Sequence, residues 1–586
     1  VQSGRPHRAD IDGLRAVALL AVLTFDVSIR WLPGGFAGID IFFMLSGYLI
    51  TSTVGEDLDG GTFSLRGFYE RRVRRLLPAL LVVVVASFVL GWFVLFAQEY
   101  RALGRDMAGA AALDDSRSPT RILGHLRPIA ALLPFYIVWP VVLRWLHKHP
   151  AIVDALIAAL LALFLIADLS GGWALMAGCG LVSLQRRGWL WQGPGADLAT
   201  GLGGLLLVCG LVLGLHGRWL VLPVLGALLL LSAGPGSWLS RKILGNPVAV
   251  GIGRASYPLY LWHWPLLSFL EIANSTIPSG PERVAAVAFA VLLAGVTYRF
   301  VERPARDGVK NGMKTAALLG LAAVVAVTGF GCYRMNGFPG TGIRGSDRQA
   351  FLDFFAGELV DPGCTTGCTE RDPTHRHAVL LWGDDHAREL YSGLRRTLPA
   401  DWQILQVARP GCAPDVTIAG PSTSDPCAQS NWTALQTIAA GRPDVVVVAQ
   451  DRGQLISRSH AIADRLSRLG VTRTLLLGPT PRWRTELPTI VARRLWHDTP
   501  RRTLVGVDPS LAGIDRILAA YLAPSERMAF VDVMDVFCNS AGCLTYVGDD
   551  RRTGLTSTDG NHLRPAASDY LARQRLARMI TGSVEE

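Results

Sequence analysis

Between Leu76 and Phe96 the chain reads LLPALLVVVVASFVLGWFVLF without one charged side chain. A helix needs about 20 consecutive apolar residues to cross the hydrocarbon of a bilayer, so this run fixes the class of solvent in which much of the chain folds. Further apolar runs lie near 12–33, 36–54, 121–145, 151–169, 172–185, 197–215, 218–233, 248–274, 283–301 and 314–334. Together they predict about 11 transmembrane helices, with those at 172–185 and 218–233 short enough to be tilted or re-entrant. Half of the 586 residues are hydrophobic and only 18% are charged, more apolar surface than one soluble core takes up.

Basic residues exceed acidic ones by ten, but they sit in short clusters between apolar runs. A nucleic-acid partner calls for a continuous basic stripe, so the clusters read as a topology signal and nucleic acid is set aside. Arg5 and Arg8 in the cytoplasm place Arg66, Arg71, Arg72, Arg74 and Arg75 there too, followed by Arg144 with Lys148, Arg186 with Arg187, Arg241 with Lys242, and Arg299 to Lys314. The alternate loops, such as 170–172 and 275–282, are poor in both residues. An odd number of spans then delivers the C-terminal part outside the cytoplasmic membrane.

That part changes character. Short runs rich in β-branched and aliphatic residues (377–383, 402–408, 444–450, 472–478, 528–533) are separated by stretches suited to helices, such as 454–469 and 509–522. Alternation of this kind predicts an α/β domain with a mainly parallel sheet covered on both faces. Residues 335–350, rich in glycine and charge, read as a linker. The expected organisation is a membrane domain over 1–310, a final transmembrane helix and linker over 311–350, and an extracytoplasmic domain over 351–586.

Six of the nine cysteines, Cys364, Cys368, Cys412, Cys427, Cys538 and Cys543, lie in that last domain. They read either as free buried thiols or as three bridges in an oxidising compartment. Sequence-near pairing, Cys364–Cys368, Cys412–Cys427 and Cys538–Cys543, is the simplest of fifteen connectivities.

Five stretches in order, DIDGLRAVALLAVLTFD (10–26), LPGGFAGIDIFFMLSGYLIT (32–51), FYERRVRRLLPAL (68–80), SYPLYLWHWPLL (256–267) and YRFVERPAR (298–306), resemble the integral-membrane acyltransferase-3 family. LLWGDDHA (380–387) and DGNHL (559–563) resemble the SGNH hydrolase-type domain fused to a subset of that family. The resemblance implies acylation of envelope sugars from a cytoplasmic acyl-CoA donor, with the outer domain finishing the transfer and no metal involved. It also implies that the family's arginine pair falls on Arg72 and Arg75, where guanidinium forks would grip pyrophosphate. The residue-level alternative is ordinary positive-inside anchoring. His263, between Trp262 and Trp264, reads equally as an intramembrane functional residue and as part of an aromatic belt.

Three departures bear on the chemistry. Asp26 stands where the family carries a histidine late in its first span, and an ordinary carboxylate is a poor base for a sugar hydroxyl. Leu132 and Leu133, ahead of Phe135, Tyr136, Trp139 and Pro140, stand where two adjacent glutamates are typical, and the segment before them, about 97–120, is shortened. Asp385 occupies the nucleophile position of the outer domain, where the family has serine, while Asp559 and His562 match the rest of the triad. With Asp385 nearby, His562 is expected to be an imidazolium in an ion pair. DVVVVAQDRGQL offers no asparagine for an oxyanion hole, and Gly411 reads as a turn glycine.

The leading expectation is therefore a degenerate family member, a pseudoenzyme that binds or scaffolds in envelope glycan or glycolipid assembly. Its partners would be membrane lipid, an envelope glycan and another envelope-synthesis membrane protein. The alternative is an active O-acyltransferase with relocated catalytic groups, including Asp385 as a carboxylate nucleophile.

Overall fold

The computed structural model describes residues 8–109, 122–167, 171–189, 191, 193–215, 217–306, 311–356, 363–365, 368–418, 420–421, 424–451, 456–522, 525 and 527–585. Arg5, Lys310, the start of the loop expected at 170–172, residues 110–120 of the shortened stretch, and 452–455 after the strand run at 444–450 lie outside them. The chain divides into two compact units, Val1–Ile272 with Pro278–Arg344, and Ala273–Ile277 with Gly345–Glu586.

The first unit is helical, and each of the expected apolar runs is helical in it. Among the described residues six helices are long and apolar enough to cross a membrane: Gly35–Asp59, Leu65–Val94, Gly124–Leu146, Gly195–Val212, Gly280–Arg306 and Gly312–Arg334. The remaining runs fall short for physical reasons. Ala9–Val27 carries Asp10, Asp12, Arg15 and Asp26, while Gly172–Arg186 has only 15 residues and Val221–Ser232 only 12. The run at 248–274 is two helices, Pro247–Arg254 and Ser256–Asn274, parted at Ala255.

Two glycines let the helices Gly38–Asp59 and Gly172–Arg186 touch backbone to backbone. A Cβ on Gly47 would lie 2.0 Å from the Leu175 carbonyl oxygen, and one on Gly178 would lie 2.0 Å from that of Met44. Where lipid is as apolar as leucine, such close approach is what holds helices together.

The second unit has eight strands among the described residues: β1 His377–Gly383, β2 Trp402–Ala408, β3 Val445–Ala449, β4 Arg473–Leu477, β5 Arg502–Thr503, β6 Met528–Val531, β7 Cys538–Asn539 and β8 Gly542–Leu544. Five form one parallel sheet in the order β2-β1-β3-β4-β6, and β5-β8-β7 form a small antiparallel one. Along β1, Val379 and Leu381 enter one hydrophobic core while Ala378, Leu380 and Trp382 enter the other. A strand buried on both faces has no polar side, which is why Val445–Ala449 reads VVVVA. All three sequence-near disulfides are formed, and Cys179, Cys209 and Cys332 are free.

The strand order reverses between β1 and β3. Ligands of open α/β sheets bind at such a switch point, outside the carboxyl ends of the strands. The loop after β1 carries Asp384 and Asp385, and the one after β3 begins at Asp451.

Candidate functional sites in the two units

In the membrane unit, helical spacing decides which side chains meet. Arg72 and Arg75, three apart on Leu65–Val94, both reach one cavity, whereas Arg71 and Arg74 are engaged elsewhere. Arg71 pairs with Asp57 at 3.4 Å, and Arg74 donates to the carbonyls of Glu70 and Arg306. Arg72 and Arg75 make no ion pair among the described residues, although Arg72 stacks over Phe68 and Tyr136. With Arg15 they line a cavity of about 140 Å³ whose other walls include Phe42, Phe43, Ile129, Leu132 and Tyr260. Leu132 thus faces the cavity, and Leu133 is half exposed.

Arg15 and Asp26 are eleven residues apart on one helix, about three turns and ~16 Å, so they project from the same face at different depths. Asp26 Oδ2 lies 3.1 Å from His263 Nε2. The His263 side chain is 1% exposed and its Nδ1 has no hydrogen-bond partner among the described residues. The rings of His125 and Tyr260 stand 5.9 and 5.4 Å from that of His263, and neither ring nitrogen of His125 has a partner among the described residues.

In the outer unit, Asp384 caps the short helix after β1 by accepting from the backbone N–H of His386 at 2.9 Å, and it also accepts from that of Asp451 at 2.7 Å. Asp385 is bound by Arg388. The carboxylate on His562 is Asp559, whose Oδ2 is 2.5 Å from His562 Nδ1. The expected Asp385–His562 ion pair is therefore corrected: Arg388, one helical turn on, takes Asp385, and Asp559 takes His562. Burial works against charge on Asp559, but hydrogen bonds from His562 and from the N–H groups of Asn561 and His562 hold its pKa down at about 2. The hydrogen bond to Asp559 raises that of His562 against partial burial.

A second imidazole stacks on the first. His386 lies 4.9 Å from His562, ring to ring, with Nδ1 3.0 Å from Glu389 and Nε2 3.2 Å from the Asn561 amide. Burial opposes its charge, yet Glu389 and Asp451 push its pKa up to about 10. Glu389 is buried and also accepts from the Leu563 N–H. At the end of β3, Asp451 is bound by Arg482 and accepts from the Asn561 amide at 3.0 Å. Gly411 sits in a turn at φ 72°. Among the described residues no group of three or more His, Cys, Asp or Glu could hold a metal ion.

Two family models match the chain, an acyltransferase domain over residues 8–299 and an SGNH domain of the kind fused to acyltransferase-3 domains over 351–576. The chain belongs to the acyltransferase-3 family with a fused SGNH domain. It is 28% identical over 359 residues to a peptidoglycan O-acetyltransferase of Listeria monocytogenes, covering 53% of this chain and 57% of the relative. It is 29% identical over 354 residues to a putative peptidoglycan O-acetyltransferase of Bacillus subtilis, covering 50% of this chain and 54% of the relative. The chain thus spans a little over half the length of these relatives. The periplasmic domain of a lipopolysaccharide acetyltransferase of Salmonella Paratyphi A is similar over 40% of this chain and 97% of that one, with 20% identity and a TM-score of 0.33.

In this acyltransferase-3 chain, sequence reasoning passed over Arg15, His125, His386, Glu389, Asp451, Arg482 and Asn561 as site residues. Arg15 carried a signal, its eleven-residue spacing from Asp26. His125 stood at the head of the divergent stretch 124–140. Nothing in the sequence pairs Asp451 with Arg482 or Asn561, because three separate loops bring them together.

Proposed function

We propose that this chain works in O-acylation of a cell-envelope glycan and that its halves have diverged. The membrane half holds a phosphate-bearing acyl donor such as acyl-CoA, and the outer domain holds glycan without serine chemistry. The observation that carries this reading is the cavity at Arg15, Arg72 and Arg75. Two of its guanidiniums, those of Arg72 and Arg75, make no ion pair among the described residues, and its walls are apolar enough for an acyl chain. Cationic forks without carboxylate partners suit phosphates, which bind them bidentately. Support for an extracytoplasmic outer domain comes from the basic clusters of alternate loops and from three disulfides.

The test is mass spectrometry of envelope glycans and lipids from cells with and without the protein. A lost O-acyl species restored by the wild type, but not by Arg72→Ala, is the expected result. Unchanged acylation, with the protein co-purifying with another envelope-synthesis membrane protein, would favour a second reading in which the whole chain is a scaffold. That reading draws on Leu132, Leu133 and Asp385 at positions where the family has reactive groups.

A further inference from the structure

The Asp26 carboxylate faces His263 Nε2 at 3.1 Å, so the proton of a neutral imidazole sits on Nε2 and the lone pair on Nδ1. Nδ1 is bare among the described residues, and the rings of His125 and Tyr260 stand beside the imidazole at 5.9 and 5.4 Å. A carboxylate fixing one ring nitrogen while the other stays free is the arrangement that orients a general base. Tyr260, one helical turn before His263, lines the arginine cavity, and its hydroxyl donates to the His125 carbonyl oxygen at 2.8 Å. The imidazole is thus one aromatic ring away from the donor chamber.

Resting on the donor-holding reading above, we infer that His263 is the base of acyl transfer in this chain, positioned by Asp26, so that a carboxylate at position 26 redirects proton transfer to His263. A swing of the Tyr260 ring opens the chamber to Nδ1. His263 then takes the proton of an acceptor hydroxyl as its oxygen bonds to the thioester carbonyl carbon. The carbon–sulfur bond breaks, and the imidazolium returns the proton to the departing thiolate, leaving an ester and a free thiol. No further reactant is needed. His125, the other imidazole at this end, is the competing candidate for the same role.

The full chain in detergent is given acetyl-, butyryl- or palmitoyl-CoA with an N-acetylglucosamine oligomer as acceptor, and thiol release is followed beside calorimetric binding of CoA. A general base is typically worth about 100–10,000-fold, so His263→Gln lowers kcat about 100-fold or more at unchanged KM for the thioester. Asp26→Asn lowers kcat about 10-fold or more, again without moving KM, and Asp26→Glu restores part of the loss. Retained CoA affinity shows that the variants fold, since neither residue lines the cavity. Thiol release that survives His263→Gln, that depends instead on His125, or that is absent for all three thioesters from a chain that binds CoA would overturn the inference alone. Absence of CoA binding would overturn the donor reading, and the inference with it.

Discussion

In the membrane unit the carboxylate at position 26 meets an imidazole, and in the outer unit the carboxylate at position 385 meets a guanidinium. By the resemblance drawn from the sequence, these are the positions where a histidine and a serine are expected. The neighbours make the outcomes differ. An imidazole has a ring nitrogen that can accept a proton, whereas a guanidinium keeps its charge, so the Asp385–Arg388 pair has no proton to give or take. What a substitution does to chemistry is set by the side chain within reach of it, and that is a matter of fold.

The sharpest way to break this contrast is to ask whether the outer unit is a fixed charge network. Glu389→Gln leaves the His386 imidazolium buried without its counter-charge, and breaking such a pair costs about 3–5 kcal/mol. Thermal unfolding of the full chain, with protease protection of the outer domain, measures it. The pH dependence follows from His386, whose folded pKa is raised from 6.5 to about 10. Its contribution is complete below the unfolded value and is lost as pH rises through about 10, so the wild type loses outer-domain stability in that alkaline window and Glu389→Gln does not. Equal alkaline profiles for the two proteins would show that His386 is neutral.

The membrane unit is tested by the arginines. Arg72→Ala and Arg75→Ala should each weaken CoA binding by about 1.5–3 kcal/mol, roughly 10–150-fold. Arg71→Ala, whose side chain pairs with Asp57 outside the cavity, should change it little. Equal effects at all three would return the cluster to an ordinary topology anchor.

A smaller effect separates the two histidines of the outer unit. The depressed pKa of Asp559 contributes stability that is present above its unfolded value and lost as pH falls through about 2. Because the Asp559 side chain is 40% exposed, screening reduces this to about 1 kcal/mol. Asp559→Asn should remove that much at neutral pH and flatten the acid limb of the stability profile. A loss as large as that of Glu389→Gln would mean that His562 holds the domain together as firmly as His386 does.

The sheet was legible because period and composition agree. The runs at 377–383, 402–408, 444–450, 472–478 and 528–533 became the five parallel strands, since a two-sided buried strand must be apolar throughout. Spans defined by apolar length were less legible where charge interrupts them. Asp10, Asp12 and Arg15 make Ala9–Val27 a weak span by composition, yet that helix brings Arg15 to the cavity and Asp26 to His263. Arg72, Arg75, Asp559 and His562 were named through the family resemblance, and their short spacings place each pair within one helical or loop turn. Asp385 was misassigned to His562 because Arg388 lies on the same short helix and competes locally, a contest that spacing to a distant histidine does not reveal. His125, Asp451 and Arg482 depend on contacts between distant segments, and no local pattern announces them.

The smallest effect is expected where the family comparison looks most inviting, at Asp385→Ser. The change returns a hydroxyl to the turn after β1 and frees Arg388, while the Asp559–His562 pair is already formed at 2.5 Å. A serine needs more than a base. Oxyanion donors must stand ~2.7–3.1 Å from the developing charge, and loss of one can cost about 100–1000-fold. Two backbone N–H groups beside Asp384, those of His386 and Asp451, are already given to its carboxylate, and the Asn561 amide is given to Asp451. Asp451 is itself a carboxylate at the end of β3, an acceptor facing the place where a donor is needed. His562, its pKa raised by Asp559, is also a base only above that raised value. Hydrolysis of an aryl acetate by the full chain, comparing wild type, Asp385→Ser and the double change Asp385→Ser with His562→Ala, should therefore show no turnover in the wild type and a trace, rising with pH, in the single variant alone. Strong activity confined to Asp385→Ser would mean that Asp384 gives up its N–H groups and the missing hydroxyl was the only defect. High wild-type turnover that depends on Asp385 and His562 would make the outer carboxylate a nucleophile, and the contrast between the two units would reverse.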